Sequence, residues 1–307
     1  MADTPDSLII PATVASHSRT RAILEAVIAS MIWATSFVFV RVGMDEVGPL
    51  TMAGLRYFAA FVLMLPFIRW RANARALRSK GVWLRLIGIA LGVYTVGNGA
   101  LYWSLKYISP TTASFIVGLL PLLVLAAGIA YLRERPTMRQ VGGVGLCVAG
   151  CALFFAMGLA PGQPLGLAIA VIGVVGFAVF AILSRDVARM GQLDTFTLTA
   201  LPLGLGGASL LILAISVEGV TLPSWRVWAL VAWLASVNTV LAYILYNRSL
   251  KILTALEANV AMNLSPFATA LVSFVILGER LTPVQVIGMV IGIVGVALVQ
   301  VSARPSV

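Results

Sequence analysis

Charge is scarce in this chain. Only 10% of its 307 residues are Asp, Glu, Lys or Arg, while 60% are apolar and the mean hydropathy is +1.02. Soluble domains carry about 25% charged residues, so a soluble globular class is excluded. Histidine is scarcer still: the single one, His17, stands in a polar N-terminal stretch. No Ser/His/Asp set, metal-ligand spacing or phosphate loop can be assembled, so the enzyme class lacks its chemistry and no cofactor or metal is expected. The two cysteines, Cys147 and Cys151, lie one helical turn apart in an apolar run. They cannot form an ordinary disulfide across that turn, and they lack four-ligand zinc spacing, which leaves them as small buried residues. Carboxylates are missing from the middle of every apolar run; Glu25, Glu218 and Glu257 lie near ends. No small-residue cleavage site follows the first apolar run, which argues against a cleaved signal peptide.

What the chain has instead is apolar runs of about 20 residues, the length that crosses a bilayer core as a helix. The pattern predicts an all-α polytopic membrane protein with ten spans, at 21–42, 49–69, 82–106, 111–132, 139–157, 164–185, 195–216, 225–250, 255–277 and 284–301. Residues 1–20 read as a polar, disordered tail and 302–307 as a second tail. Spans three and eight are the longest, so they should tilt or unwind at an end. The net charge of +10 suggests nucleic acid only until its distribution is read. Sixteen of the 21 Lys and Arg fall in the tails and loops on one side of the spans, and four (Arg41, Lys106, Arg226 and Arg280) on the other. That bias is a topology signal, which places both termini in the cytoplasm and makes the lipid bilayer, not nucleic acid, the partner. Arg56 alone stands well inside a span.

The chain repeats itself. Shifting residues 104–153 by 145 lays them on 249–298 without a gap: Ser104-Leu105-Lys106 on Ser249-Leu250-Lys251, Pro121 on Pro266, Glu134-Arg135 on Glu279-Arg280, and Gly143 and Gly150 on Gly288 and Gly295. At a shift of 144, Trp33-Ala34 falls on Phe177-Ala178 and Thr51 on Thr195. The repeat divides the chain into halves at 21–157 and 164–301. Each half has five spans, an odd number, so the halves must be inverted, and substrate sites of such proteins lie at the repeat interface near the midplane.

Polar residues inside spans are the candidates for that site. Tyr94, Asn98 and Tyr102 form one stripe at i, i+4 and i+8, and their repeat mates are Thr239, Tyr243 and Asn247. Asn259 and Asn263 pair with Ser114 and Gly118, the glycine leaving room opposite an amide. An amide or phenol in lipid needs a partner, so these faces look into the protein or a wet cavity; the alternative is interhelical hydrogen bonding alone. Trp33 and Phe37, with Phe177 and Phe180, offer flat apolar walls or simply face lipid. Pro121 and Pro266 fall mid-span, where each kinks its helix as a hinge, a gate or a fixed bend. Arg56 either attracts a carboxylate or pairs with Asp45 or Glu46, and the structural pairing is favoured because snorkelling to the interface is cheap from that depth. Glu134-Arg135 and Glu279-Arg280 read as ties between helix ends. The small faces of spans five and ten, including Gly288-Met289-Val290-Ile291-Gly292, suit close packing on each other or a homodimer seam.

Several motifs resemble the drug/metabolite transporter superfamily in its ten-helix EamA-type branch. They are Trp33-Ala34 with Phe37, Leu55-Arg56-Tyr57, Ala100-Leu101 through Ser109, and the run Pro121 to Gly128, Arg133-Glu134-Arg135 and Gln140 to Gly143 with its second copy from Pro266 to Gly288. The resemblance covers all but the tails and implies an exporter of amino acids or other metabolites in the inner membrane, with a small-molecule substrate and alternating access. Within the branch the chain is similar to aromatic and neutral amino-acid exporters. The missing mid-span carboxylates argue for an uncoupled carrier, with proton-coupled efflux and a non-transporting scaffold as the competing readings. A reporter fused after Val307 should read as cytoplasmic; a periplasmic signal would overturn the topology.

Overall fold

The computed structural model describes residues 12–43, 46–104, 107–108, 116–156, 163–220, 222–265, 267–268 and 282–301. All regular structure among them is helical. The helices are α1 (Ala12–Gly43), α2 (Pro49–Met64), α3 (Lys80–Ala90), α4 (Gly99–Ser104), α5 (Leu120–Ala130), α6 (Met138–Phe155), α7 (Pro164–Met190), α8 (Thr195–Glu218), α9 (Trp225–Trp233), α10 (Ala242–Ser249), α11 (Ala255–Met262) and α12 (Pro283–Val301). Seven helical stretches among the described residues are long and apolar enough to cross a membrane. The molecule is therefore a multi-pass membrane protein, as hydrocarbon demands of a chain whose backbone must satisfy itself.

Local sequence sets many of the helix ends. Thr137 and Gln140 close a capping box at α6, Thr254 and Glu257 close another at α11, and Asp194 caps α8 by accepting from the Phe196 and Thr197 amides. Each satisfies amides that the first turn leaves without a helical partner. Proline stands in the first turn of α2 and α7, where its missing N–H costs nothing.

Three sequence expectations are corrected. Residues 1–20 are not a wholly disordered tail, because α1 begins at Ala12; after Pro11 no breaker interrupts the chain, and the helix continues beyond the apolar run. Among the described residues, spans three and eight do not take up their length by unwinding at an end. Each carries a π-helical segment in its interior, Leu91–Asn98 between α3 and α4 and Leu234–Leu241 between α9 and α10. In both, a side chain bonds a carbonyl five residues back: Asn98 Nδ2 donates to Val93 O at 2.6 Å and the Thr239 hydroxyl to Leu234 O at 2.8 Å. Pro121 does not kink a continuous helix. The span breaks at Leu119, and Pro121 occupies the first turn of α5, where neither a lost donor nor a ring clash matters. Pro266 lies outside the described residues, but α11 also stops short of it, at Met262.

Polar contacts between distant segments sort onto two rims. On the rim where Arg19 of α1 meets Gln300 of α12, Glu257 is 1% exposed and accepts from Arg19 Nη2 at 3.0 Å and Gln140 Nε2 at 3.2 Å. Gln300 donates to the Glu257 carbonyl at 2.8 Å, and its own carbonyl accepts from Arg19 at 3.2 Å. Around this hub Arg185 pairs with Glu134 at 3.6 Å, Arg85 with Asp186 at 2.6 Å and Arg248 with Glu25 at 3.0 Å. Burial raises the Glu134 carboxyl above its ordinary range, even though the Ala255 amide and Arg185 favour its charge. On the opposite rim the Glu218 carboxylate accepts from the Leu50 and Thr51 amides, both at 2.9 Å, capping α2 from another helix. Ser224 there donates to Glu46 at 2.7 Å.

Between the rims, α6 and α12 pack backbone to backbone, which places spans five and ten against each other. A Cβ on Gly150 would lie 2.6 Å from the Gly288 carbonyl oxygen, and one on Gly295 would lie 2.7 Å from that of Gly143. A Cβ on Gly145 would meet nothing within 4 Å. Gly150→Ala should therefore lower stability by about 1–3 kcal/mol, read as a fall in the detergent unfolding midpoint. Gly145→Ala should not lower the midpoint and should raise it slightly, since alanine is the better helix former.

Candidate functional site

Aromatic rings meet where α1, α2, α7 and the two π-bearing spans converge. Tyr94, in the first π segment, lies 4.5 Å from Tyr57 and 5.9 Å from Tyr243 between ring centroids. Tyr243 in turn meets Trp33 edge-on at 5.0 Å and Phe180 at 5.9 Å. Tyr246 closes the group, stacked on Phe180 at 5.6 Å and 5.7 Å from Trp33. Edge-to-face and offset pairs of this kind add about 0.5–1.5 kcal/mol each to the gain from burial.

One end of this ring chain is charged. Arg56 is 6% exposed, its guanidinium lies 4.9 Å from the centre of the Tyr57 ring, and its Nε donates to the Thr239 hydroxyl at 2.9 Å. The partly exposed indole of Trp33 donates Nε1 to the Asn238 carbonyl at 3.0 Å. Asn238 itself donates Nδ2 to the Ile32 carbonyl at 2.6 Å and the Thr35 hydroxyl at 3.0 Å. Chemically this is a buried cation beside phenols and flat apolar walls, able to hold a carboxylate at one end and an apolar or aromatic group at the other.

The predicted residues divide. Trp33, Tyr94, Thr239 and Tyr243 come together, and Phe180, read as a wall, joins them. Asn98 turns its amide onto its own helix, and Asn247 donates to the Thr199 hydroxyl at 2.9 Å. Asn263 donates to the carbonyl of Gly118, its repeat mate, at 3.1 Å and touches Cys147 Sγ at 3.5 Å. The glycine thus leaves an acceptor opposite the amide. Phe177 packs beside Gly97, and Asn259 is buried with no hydrogen-bond partner for its Oδ1 among the described residues. The side chains of Phe37 and Tyr102, and residues Ser114 and Pro266, lie outside the described residues. Of the pairings considered for Arg56, Glu46 is engaged by Ser224, and Asp45 also lies outside the described residues. Sequence reasoning missed Asn238 and Tyr246 and gave Tyr57 no role. Tyr246 was within reach, since it shares a helical face with Tyr243 three residues earlier.

Two cavities lie away from this cluster. An outward-facing groove of about 360 Å³ runs between the first π segment and α7, lined by Leu91, Gly92, Val96, Val171 and Val175 among others. A recess of about 40 Å³ sits at the rim beside Glu134, Gln140 and Leu256.

The profile of the EamA-like transporter family matches the chain twice, over residues 20–156 and 164–301. The chain belongs to the EamA-like family, within the drug/metabolite transporter superfamily. It is 28% identical over 289 residues to an uncharacterised transporter of Archaeoglobus fulgidus, covering 92% of this chain and 97% of the relative. The inner membrane transporter YedA of Escherichia coli K12, itself uncharacterised, is 25% identical over 88% of this chain and 87% of its own. A probable terminal-alkyne amino-acid exporter of Streptantibioticus cattleyicolor is 25% identical, over 91% of this chain and 93% of its own. A solved crystal structure shares the fold at 20% identity and a TM-score of 0.77, over 93% of this chain and 99% of that one. The EamA-like chain is accordingly a membrane transporter.

Tyr243 touches three of the clustered rings, so its truncation tests the cluster. Tyr243→Ala should cost about 3–5 kcal/mol of stability as well as transport. Tyr243→Phe keeps the ring, so stability should change by only about 0.5–1.5 kcal/mol, the worth of one hydrogen bond. Comparing their unfolding midpoints with their transport rates separates packing from a role of the hydroxyl.

Proposed function

We propose that this transporter exports neutral, zwitterionic amino acids with large or aromatic side chains across the inner membrane. It does so by alternating access of two inverted five-span halves, without coupling to protons. The observation that carries the reading is the cluster of buried Arg56, Tyr57, Tyr94 and Tyr243 with half-buried Trp33, which joins a cation to flat apolar walls at the meeting of the halves. The amino-acid exporter among the relatives and the inner-membrane relative support substrate class and location.

Reciprocal packing supports the two-half architecture. The second π segment and α10 pack on α1, as the first π segment and α4 pack on α7; α11 packs on α1 as α5 packs on α7. Breaks at Leu119 and after Met262 fall at corresponding places in the repeat and supply hinges on either side of the cluster. The contact between Arg19 of α1 and Gln300 of α12 supports an even number of crossings between them, as ten spans require. The excess of Lys and Arg on that rim supports a cytoplasmic location for it.

Proton coupling is the second reading, favoured by one observation: Glu257, which is buried, and Glu134, which is half-buried, are carboxylates in contacts that tie one half to the other. Against it, both stand at the rim, away from the aromatic cluster. Proteoliposomes loaded with a fixed phenylalanine gradient decide between the two. A pH step or a membrane potential should produce no accumulation above equilibrium; uphill movement driven by either would overturn the uncoupled mechanism.

A further inference from the structure

Asn238 carries a buried acceptor that the fold leaves without a donor. The residue is 0% exposed and sits in the second π segment, facing α1. Its amide orientation is settled by its partners, because Ile32 offers a carbonyl oxygen, which only accepts, so the nitrogen must face it. The Oδ1 therefore points the other way, and among the described residues it has no hydrogen-bond partner. An unmet buried acceptor costs about 1–3 kcal/mol, which a ligand N–H would recover on binding.

The next residue in the chain holds the opposite charge preference. Thr239 accepts from Arg56 Nε while donating to Leu234 O, so its hydroxyl is fixed from both sides and in turn fixes the guanidinium. Consecutive Cα atoms lie about 3.8 Å apart, so the neutral acceptor and the cation are anchored on adjacent positions of one segment. Trp33, bonded to the Asn238 carbonyl and edge-on to Tyr243, stands beside both. An α-amino acid carries its ammonium and carboxylate on one carbon, with its side chain leaving that carbon in a third direction.

We propose that the segment Leu234–Leu241 presents a two-pole zwitterion site in which Asn238 Oδ1 accepts from the substrate ammonium and Arg56, held by Thr239, binds the substrate carboxylate. The side chain then lies against Trp33, the partly exposed ring of the cluster. This inference rests on the amino-acid reading above and deepens it, because it requires both charged groups of the substrate rather than an aromatic ring alone. An amide acceptor suits an ammonium without itself carrying a charge that changes with pH.

The test uses the full chain in proteoliposomes with labelled phenylalanine and three unlabelled competitors: phenylalanine, phenylalaninamide, which lacks the carboxylate, and 3-phenylpropionate, which lacks the ammonium. Wild type should be inhibited by phenylalanine at least roughly tenfold more strongly than by either analogue, the span expected for one charged hydrogen bond. Asn238→Leu should abolish the preference over 3-phenylpropionate, while Asn238→Asp, which keeps an acceptor, should retain it. Arg56→Gln should abolish the preference over phenylalaninamide. Thermal-shift measurements on wild type in detergent give the same comparison without any variant. Equal stabilisation by the three compounds, or variants that transport phenylalanine with wild-type preferences, would overturn the two-pole site while leaving amino-acid export standing. Absence of any phenylalanine transport by wild type would overturn the amino-acid reading, and this inference with it.

Discussion

Every polar group that this chain carries into hydrocarbon must be met by the chain itself, and the rest of the structure follows from that constraint. Water is absent from a bilayer core, so an unmet amide or guanidinium there costs several kcal/mol. Helices meet the demand for the backbone. For side chains the solution differs by depth. At the rims, carboxylates and guanidinia pair or cap helix starts, as Glu257 does with Arg19 and Glu218 does with the first turn of α2. Deeper in, the Thr239 hydroxyl and the Tyr57 ring are among the groups that hold the Arg56 guanidinium.

The π segments belong to the same logic. A π turn widens the helix and is uncommon outside functional sites. Here two of them lie at closely corresponding places in the repeat, and each brings a tyrosine or its hydroxyl-bearing mate to the centre. Tyr94 comes from the first, and Thr239 with Asn238 from the second. Side-chain bonds to carbonyls five residues back hold both segments in register, which explains why Asn98 is polar without facing the cluster. The glycine contacts of α6 and α12 do the opposite work at the periphery. Backbones in direct contact leave little room for sliding, so the paired spans five and ten form a stiff unit, the support that the proposed alternating access would need.

The rim contacts bear on that movement. Glu257 gathers donors from α1 and α6 onto the start of α11, and Glu134 joins Arg185 of α7 to the Ala255 amide. These contacts cross between the two matched regions of the chain, so under the proposed alternating access, opening this rim would break them together. A ligand shifts such an equilibrium only through its unequal affinity for the two arrangements. The aromatic cluster, reached by helices of both halves, is where that difference can arise.

By itself the sequence determined what is periodic or compositional. Hydropathy established a polytopic membrane protein, the gapless 145-residue shift established a duplicated chain, and the motifs around Arg56, Glu134 and Gln140 pointed to the family that the profile then matched. Trp33, Tyr94, Thr239 and Tyr243 were legible because stripes at helical spacing survive in a one-dimensional reading. The tertiary structure alone decided which polar groups meet. Asn98 and Asn247 share the stripes but bond their own helix and Thr199, while Asn238, off the stripe, is carried to the cluster by a π turn that no local pattern announces. It also turned Pro121 from a kink into a helix start, because the break at Leu119 depends on how the span packs. Spacing along a chain fixes which residues share a face; which face they meet is set by packing between segments far apart in sequence.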